Sequence, residues 1–165
     1  MLLILAASNG ANLALARRFA DLCAEAGIEH ELVDVVALGW PLYTRDEHER
    51  GIPAGFADEA ARFHRATGYV VCAPEYNGSI PPALTSLIAW LSVADEDFRA
   101  IFNGKRAILA SHSGGAGHKG LVAMRLQLSH LGCDVQGREY LCNPAKELND
   151  EGARAALVRL AAPAG

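Results

Sequence analysis

Cysteine is scarce in this chain and spaced for no obvious chemistry. Cys23, Cys72, Cys133 and Cys142 form no CxxC pair and stand at no zinc-ligand spacing from a histidine, so no metal site is expected and all four read as small buried hydrophobes. Also missing is any run of 18 or more apolar residues, which excludes a membrane-spanning helix of the usual length. The opening "MLLILAAS" carries no basic region and is short for a secretory signal, so the expected location is cytoplasmic, with reduced thiols and no disulfides. Positive charge is not concentrated anywhere. The net charge is −4 with a sequence pI near 5.8, without the basic stripe of a nucleic-acid binder. Repeats and low-complexity tracts are absent. What remains is 165 residues with 51% apolar and 21% charged side chains, the balance of one globular domain over residues 1–165.

Residues 2–7 are an unbroken apolar run, as expected of a strand covered on both faces. A helix is expected over 12–26, with Leu15, Phe19, Leu22, Cys23 and Ala26 on one side and Arg17, Arg18, Asp21 and Glu25, read as solvated charges, on the other. "IEHELVDV" alternates like an edge strand, and residues 36–54 show no periodicity and read as a long surface loop. "AGFADEAARFHRATG" is a second helix and "YVVCA" a third strand; Pro82 opens a helix to residue 92, buried through Leu84, Leu87, Ile88 and Leu91. Asp95, Glu96 and Asp97 sit in a linker that reads as solvated. "KRAILAS" is a fourth strand, residues 121–131 a helix, "CDVQGREYL" a fifth strand, and a last helix starts from Asn149 or Asp150. Five strands alternating with helices imply an α/β fold. The expectation is a five-stranded parallel sheet in order 2-1-3-4-5, with helices on both faces.

In that order the turns after strands 1, 3 and 4 converge at the carboxyl end of the sheet, where such folds bind ligands. Ser8, Asn9 and Asn12 lie in the first turn, at a helix start. That is the place for a phosphate, although plain helix capping by Asn9 or Asn12 explains the same residues. The second turn, "PEYNGSIPP", is more specific. Pro74 ends the strand, Asn77-Gly78 permits positive φ, and the backbone through Ser79 faces the strand ends. A ligand-free turn leaves Glu75 and Tyr76 unexplained; an exposed aromatic beside hydrogen-bonding backbone suits a flat heterocycle. Ser111, Ser113, Gly114 and Gly115 open the third turn, where glycines admit close backbone approach or simply form a flexible loop. His112 and His118 flank it, while His30, His48 and His64 read as exposed.

The stretch "PEYNGSIPPALTSLIAWLS" resembles the signature of the NADPH-dependent FMN reductase family. The resemblance extends to "DVVALGWPLYTRDEHERGIP" and "SHSGGAGHKGLVAMRLQLSHLG", in the family's order across most of the chain. It implies a flavodoxin-like three-layer sandwich. It also implies FMN held by its phosphate at Ser8, Asn9 and Asn12 and by its ring between Pro74, Glu75, Tyr76, Asn77, Gly78, Ser79 and Ser111, Ser113, Gly114, Gly115. The activity implied is hydride transfer from NAD(P)H through FMN to a small-molecule acceptor such as a quinone, free flavin or azo compound. No catalytic side chain and no metal are assigned, and no nucleic-acid or membrane partner is expected. The family's assembly implies a homodimer or homotetramer, with the helix from Pro82 to Ser92 near the subunit contact; Trp90, off the core stripe of that helix, is either partly buried or part of the contact. Two departures stand out. The first turn lacks the family's arginine, so FMN is expected to bind weakly and an arginine restored at Gly10 to tighten it; His118-Lys119 replaces glycine and a small residue. A non-enzymatic flavin-binding carrier or sensor, or a scaffold that has lost FMN, are the other readings.

Overall fold

The computed structural model describes residues 1–115 and 117–163. Five strands, β1 (Leu2–Ala6), β2 (His30–Asp34), β3 (Gly68–Cys72), β4 (Arg106–His112) and β5 (Asp134–Cys142), form one sheet in the order β2-β1-β3-β4-β5. All four pairings are parallel. The flavodoxin-like order expected from the sequence is the order observed. Alternate residues of the central strands go to opposite faces, the period of two that a pleated strand imposes. Leu3, Leu5, Tyr69 and Val71 enter one apolar layer with helices α3 (Phe56–Arg65), α4 (Pro82–Leu91) and α5 (His118–His130). Leu2, Ile4, Val70 and Cys72 enter the other with α1 (Ala11–Glu25) and α6 (Asp150–Ala161). The continuous apolar runs in the sequence record this double burial. The more polar β2 and β5 are the sheet edges, and β5 is irregular where it passes Ala107 and Leu109 of β4.

Residues 36–54 are not a structureless loop. A short helix, α2 (Arg45–Arg50), interrupts them, and Thr44 caps it by accepting the Glu47 N–H at 3.0 Å. The "TRDE" spacing of a capping box was the available signal; six residues with none buried carry no apolar periodicity to advertise the helix. The segment also overturns the reading of Trp90 as a subunit contact. Trp90 is fully buried. Its indole N–H donates to the Pro41 carbonyl at 2.9 Å, and Tyr43 packs edge-on at 5.0 Å between ring centroids. The segment after β2 therefore wraps over the helix side that periodicity leaves facing outward.

Two charges expected to be solvated are paired. Arg18 reaches Asp150 at the start of α6 through three hydrogen bonds, the shortest 2.6 Å, and also pairs with Glu25. His64 Nε2 lies 2.6 Å from a carboxylate oxygen of Asp95, which ties the acidic linker to α3. All four cysteines are free and buried. No described helix is long and apolar enough to cross a membrane.

Candidate functional site

The turns after β1, β3 and β4 meet at the carboxyl ends of the strands, and backbone bonds lock them side by side. Ala7 N–H donates to Cys72 O and Ala73 N–H to Ala110 O. In the first turn, Ser8 is buried and its hydroxyl donates only a long 3.3 Å bond to Asn9 O, while Asn9 is exposed. Gly10 is the N-cap residue of α1, and no side chain caps the helix there. Neither Asn9 nor Asn12 performs the plain capping role considered from sequence. The first-turn N–H groups of α1 thus point into the turn without a side-chain acceptor, and these are the groups that bind phosphate at other helix ends.

Asn12 is only 3% exposed, and its carboxamide is engaged on β4. Its Nδ2 donates to His112 O at 2.9 Å and its Oδ1 accepts from His112 N–H at 2.8 Å. This reciprocal pair fixes the amide orientation and pins the start of α1 to the end of β4. The side chain sets the position of the helix end and leaves at most one amide hydrogen for a ligand.

The second turn is tight. Asn77 (φ 51°) and Gly78 (φ 77°) both occupy the left-handed region, and Tyr76 and Ser79 exchange two backbone hydrogen bonds of 3.0 Å across them. Two successive positive φ values define the primed turn that Asn-Gly favours. Tyr76 is half exposed beside it. Pro81 is the N-cap and Pro82 the first residue of α4, which starts the helix abruptly after the turn. Glu75 is half-buried and reaches α5, where its carboxylate accepts the Gly120 N–H at 3.1 Å.

The third turn follows β4. Ser111 is 1% exposed, and its hydroxyl is buried with no hydrogen-bond partner among the described residues. Ser113 N–H donates to Cys142 O, while Gly114 and Gly115 stand in open space with nothing within 4 Å of a notional Cβ. His118 and Lys119 are the first two residues of α5, and the Lys119 Cδ lies 3.4 Å from where a Cβ on Gly78 would be. The helix therefore begins against the second turn, three residues earlier than periodicity indicates.

Between the first two turns is a cavity of about 320 Å³ lined by Ser8, Asn9, Val36, Tyr76, Pro81 and Pro82. An apolar groove of about 280 Å³ shares Val36 and Pro82 with it and runs on to Trp40 and Leu42. An uncapped helix start, a turn of exposed backbone with an aromatic beside it, open glycines and an orphaned buried hydroxyl fit a phosphorylated flat heterocycle such as FMN. An arginine at Gly10 does not fit: φ 71° with ψ −126° is a conformation for glycine, and a side chain there is strained. Exposed Asn9 is the position that takes one.

The family model described as NADPH-dependent FMN reductase matches residues 1–159. The quinone reductase of Escherichia coli (strain K12) is 43% identical over 53 residues, 32% of this chain and 28% of that protein. FMN-dependent NADH:quinone oxidoreductase 5 of Pseudomonas fluorescens is 33% identical over 104 residues, 59% of this chain and 51% of its own length. The chain thus spans about half or less of the curated relatives it matches. Among solved structures, the flavoenzyme NAD(P)H:(acceptor) oxidoreductase FerB of Paracoccus denitrificans superposes with a TM-score of 0.76 at 16% identity, covering 97% of this chain and 93% of that one, a likeness of fold. The chain belongs to the NADPH-dependent FMN reductase family.

Proposed function

We propose that the protein is an FMN-dependent NAD(P)H oxidoreductase that passes electrons to a quinone, a free flavin, an azo compound or a similar acceptor. The observation that carries this reading is the uncapped start of α1 beside the Asn77-Gly78 turn, at the carboxyl end of a sheet of this family. Bound FMN supplies the chemistry by accepting two electrons from NAD(P)H and releasing them to the second substrate. The chain supplies position. Ser8, Asn9 and the first-turn N–H groups of α1 hold the phosphate, with Asn12 setting the helix end. The backbone of Pro74, Asn77, Gly78 and Ser79 meets the polar edge of the ring, with Tyr76 beside its face. Ser111, Ser113, Gly114 and Gly115 close the other side, where the Ser111 hydroxyl has hydrogen-bonding capacity to spare. No side-chain acid or base is assigned.

Affinity is set by what meets the phosphate charge. A helix end contributes about 0.3–1 kcal/mol, up to roughly 2 when partly buried. A missing arginine removes charge-assisted hydrogen bonds of about 1.5–3 kcal/mol each, which corresponds to roughly one to two decades of affinity. Calorimetry is expected to show FMN binding in the micromolar range, with protein purified partly empty and its yellow colour bleached by NAD(P)H. Asn9→Arg should tighten FMN about tenfold. Failure of wild-type protein to bind FMN at all, or to turn over NAD(P)H once loaded, defeats the reading.

Assembly into at least a homodimer belongs to the same proposal. With Trp90 withdrawn into the core, α4 offers a partner the exposed Pro82 and Thr85, and α5 offers Val122 and Leu126, 63% and 73% exposed. Sedimentation velocity at micromolar concentration should show a species of twice the chain mass or more; a lone monomer ends this part of the proposal.

A further inference from the structure

Glu75 lies in the turn after β3, yet its side chain makes no hydrogen bond within that turn among the described residues. Its carboxylate reaches α5 and accepts the Gly120 N–H at 3.1 Å. Gly120 is the third residue of α5, and its N–H is one of the donors that a helix start leaves without a partner inside the helix. The residue at the N-cap position, Gly117, has no side chain to supply the missing acceptor, and no side-chain cap is present. By contrast, α2 and α6 are capped locally by Thr44 and Asn149. The start of α5 is therefore fixed from outside, by a residue 45 positions earlier in the chain. A carboxylate is the suited group, since its charge meets the positive end of the helix.

The packing is as close as the hydrogen bond implies. A Cβ on Gly120 would lie 3.1 Å from the Cβ and 3.2 Å from the Cα of Glu75. A side chain at Gly120 would press on the Cα and Cβ of Glu75, so the second turn or the helix start would have to give by a few tenths of an ångström. At the far end of the same turn, a Cβ on Gly78 would touch the Lys119 Cδ at 3.4 Å. The turn after β3 and the helix after the β4 turn thus meet at both Glu75 and Gly78. The reciprocal bonds between Asn12 and His112 join the first turn to the third in the same way.

We infer that Glu75 is a positioning residue for flavin binding. It acts through Gly120 and does not touch the cofactor. It holds residues 74–79 and the start of α5 at one separation, so the space for the ring exists before the ring arrives. This rests on the FMN reading above, and the experiment separates the two.

Three variants, Glu75→Gln, Glu75→Ala and Gly120→Ala, are titrated with FMN by flavin fluorescence. Amide exchange at Gly120 is followed in each protein without FMN. Glu75→Ala should raise the FMN dissociation constant about tenfold, the scale of one lost charge-assisted hydrogen bond, and speed exchange at Gly120. Glu75→Gln keeps an oxygen acceptor and should restore both to within about threefold. Gly120→Ala should weaken FMN as Glu75→Ala does, although alanine is the better helix former. Equal loss of affinity in the Gln and Ala variants with Gly120 still protected would mean that the carboxylate contacts the flavin, and overturns the inference. So does an Ala variant that binds FMN as the wild type does and only melts earlier. If the wild type takes no FMN, the proposed function fails and Gly120 exchange alone decides: faster in Ala and restored in Gln supports the clamp, unchanged exchange refutes it.

Discussion

Replacing Asn77-Gly78 with Ala-Ala is expected to weaken FMN binding by about ten- to a hundredfold while leaving the sheet intact. Both residues occupy the left-handed region, at φ 51° and 77°. That conformation costs an alanine roughly 1–2 kcal/mol at each position, and asparagine and glycine avoid most of it. The two 3.0 Å bonds between Tyr76 and Ser79 exist only while the turn keeps this shape. Roughly 2–3 kcal/mol of strain exceeds what two exposed turn bonds contribute at about 0.5–1.5 kcal/mol each less their ordering entropy. The turn is therefore expected to flip rather than the core to yield. Flipping re-aims the backbone groups assigned to the ring edge. The measurement is FMN titration of the double variant, with far-ultraviolet circular dichroism as the control for fold. A dissociation constant within twofold of wild type, with native circular dichroism, would show that the ring lies elsewhere.

That turn could be read from the sequence because its chemistry is local: Asn-Gly between two proline-bounded segments specifies its own geometry. The strands were legible for a related reason. A parallel sheet covered on both faces has to be apolar at every position, and Leu2–Ala6 and Gly68–Cys72 are. The unread features all depend on distant partners. Trp90 falls off the stripe of α4 because the stripe registers only the sheet side of the helix; Pro41, 49 residues away, covers the other side. Arg18 reads as solvated until Asp150, 132 residues later, is placed opposite it. Asn12 is a natural capping residue by composition, but its partner is the backbone of His112. Glu75 is visible in the motif as an unexplained residue, and only the three-dimensional arrangement shows that it faces Gly120. Local spacing located the site. The ties that hold its turns together run across 45 to 100 residues and leave no periodic trace.

Alkaline pH should unfold this protein steeply, and the position of its side chains sets the window. Burial raises the pKa of all four thiols above the ordinary 9.0: Cys23 to about 11, Cys133 to about 12, and Cys72 and Cys142 in the same direction. In the unfolded chain these thiols release their protons near pH 9, whereas in the folded chain they keep them. Above pH 9 the unfolded state therefore binds fewer protons than the folded one, and stability falls as pH rises. Lys105 works in the opposite sense. Its ammonium group donates to Phe63 O at 2.7 Å and His64 O at 3.1 Å, closing the end of α3, and lies 3.2 Å from the Tyr69 hydroxyl. Burial lowers its pKa from 10.5 to about 8. Between those values the unfolded chain holds the extra proton, so this group alone makes stability rise with pH from about 8. One lysine against several thiols gives a shallow rise from pH 8 to 9 and then a steeper fall. Urea unfolding under reducing conditions from pH 7 to 11 measures the curve. Lys105→Met should remove the rise below pH 9, and Cys72→Ala should reduce the slope above it by one thiol's share. Stability that stays level from pH 9 to 11 would show that the thiols ionise in the folded chain, contrary to their burial.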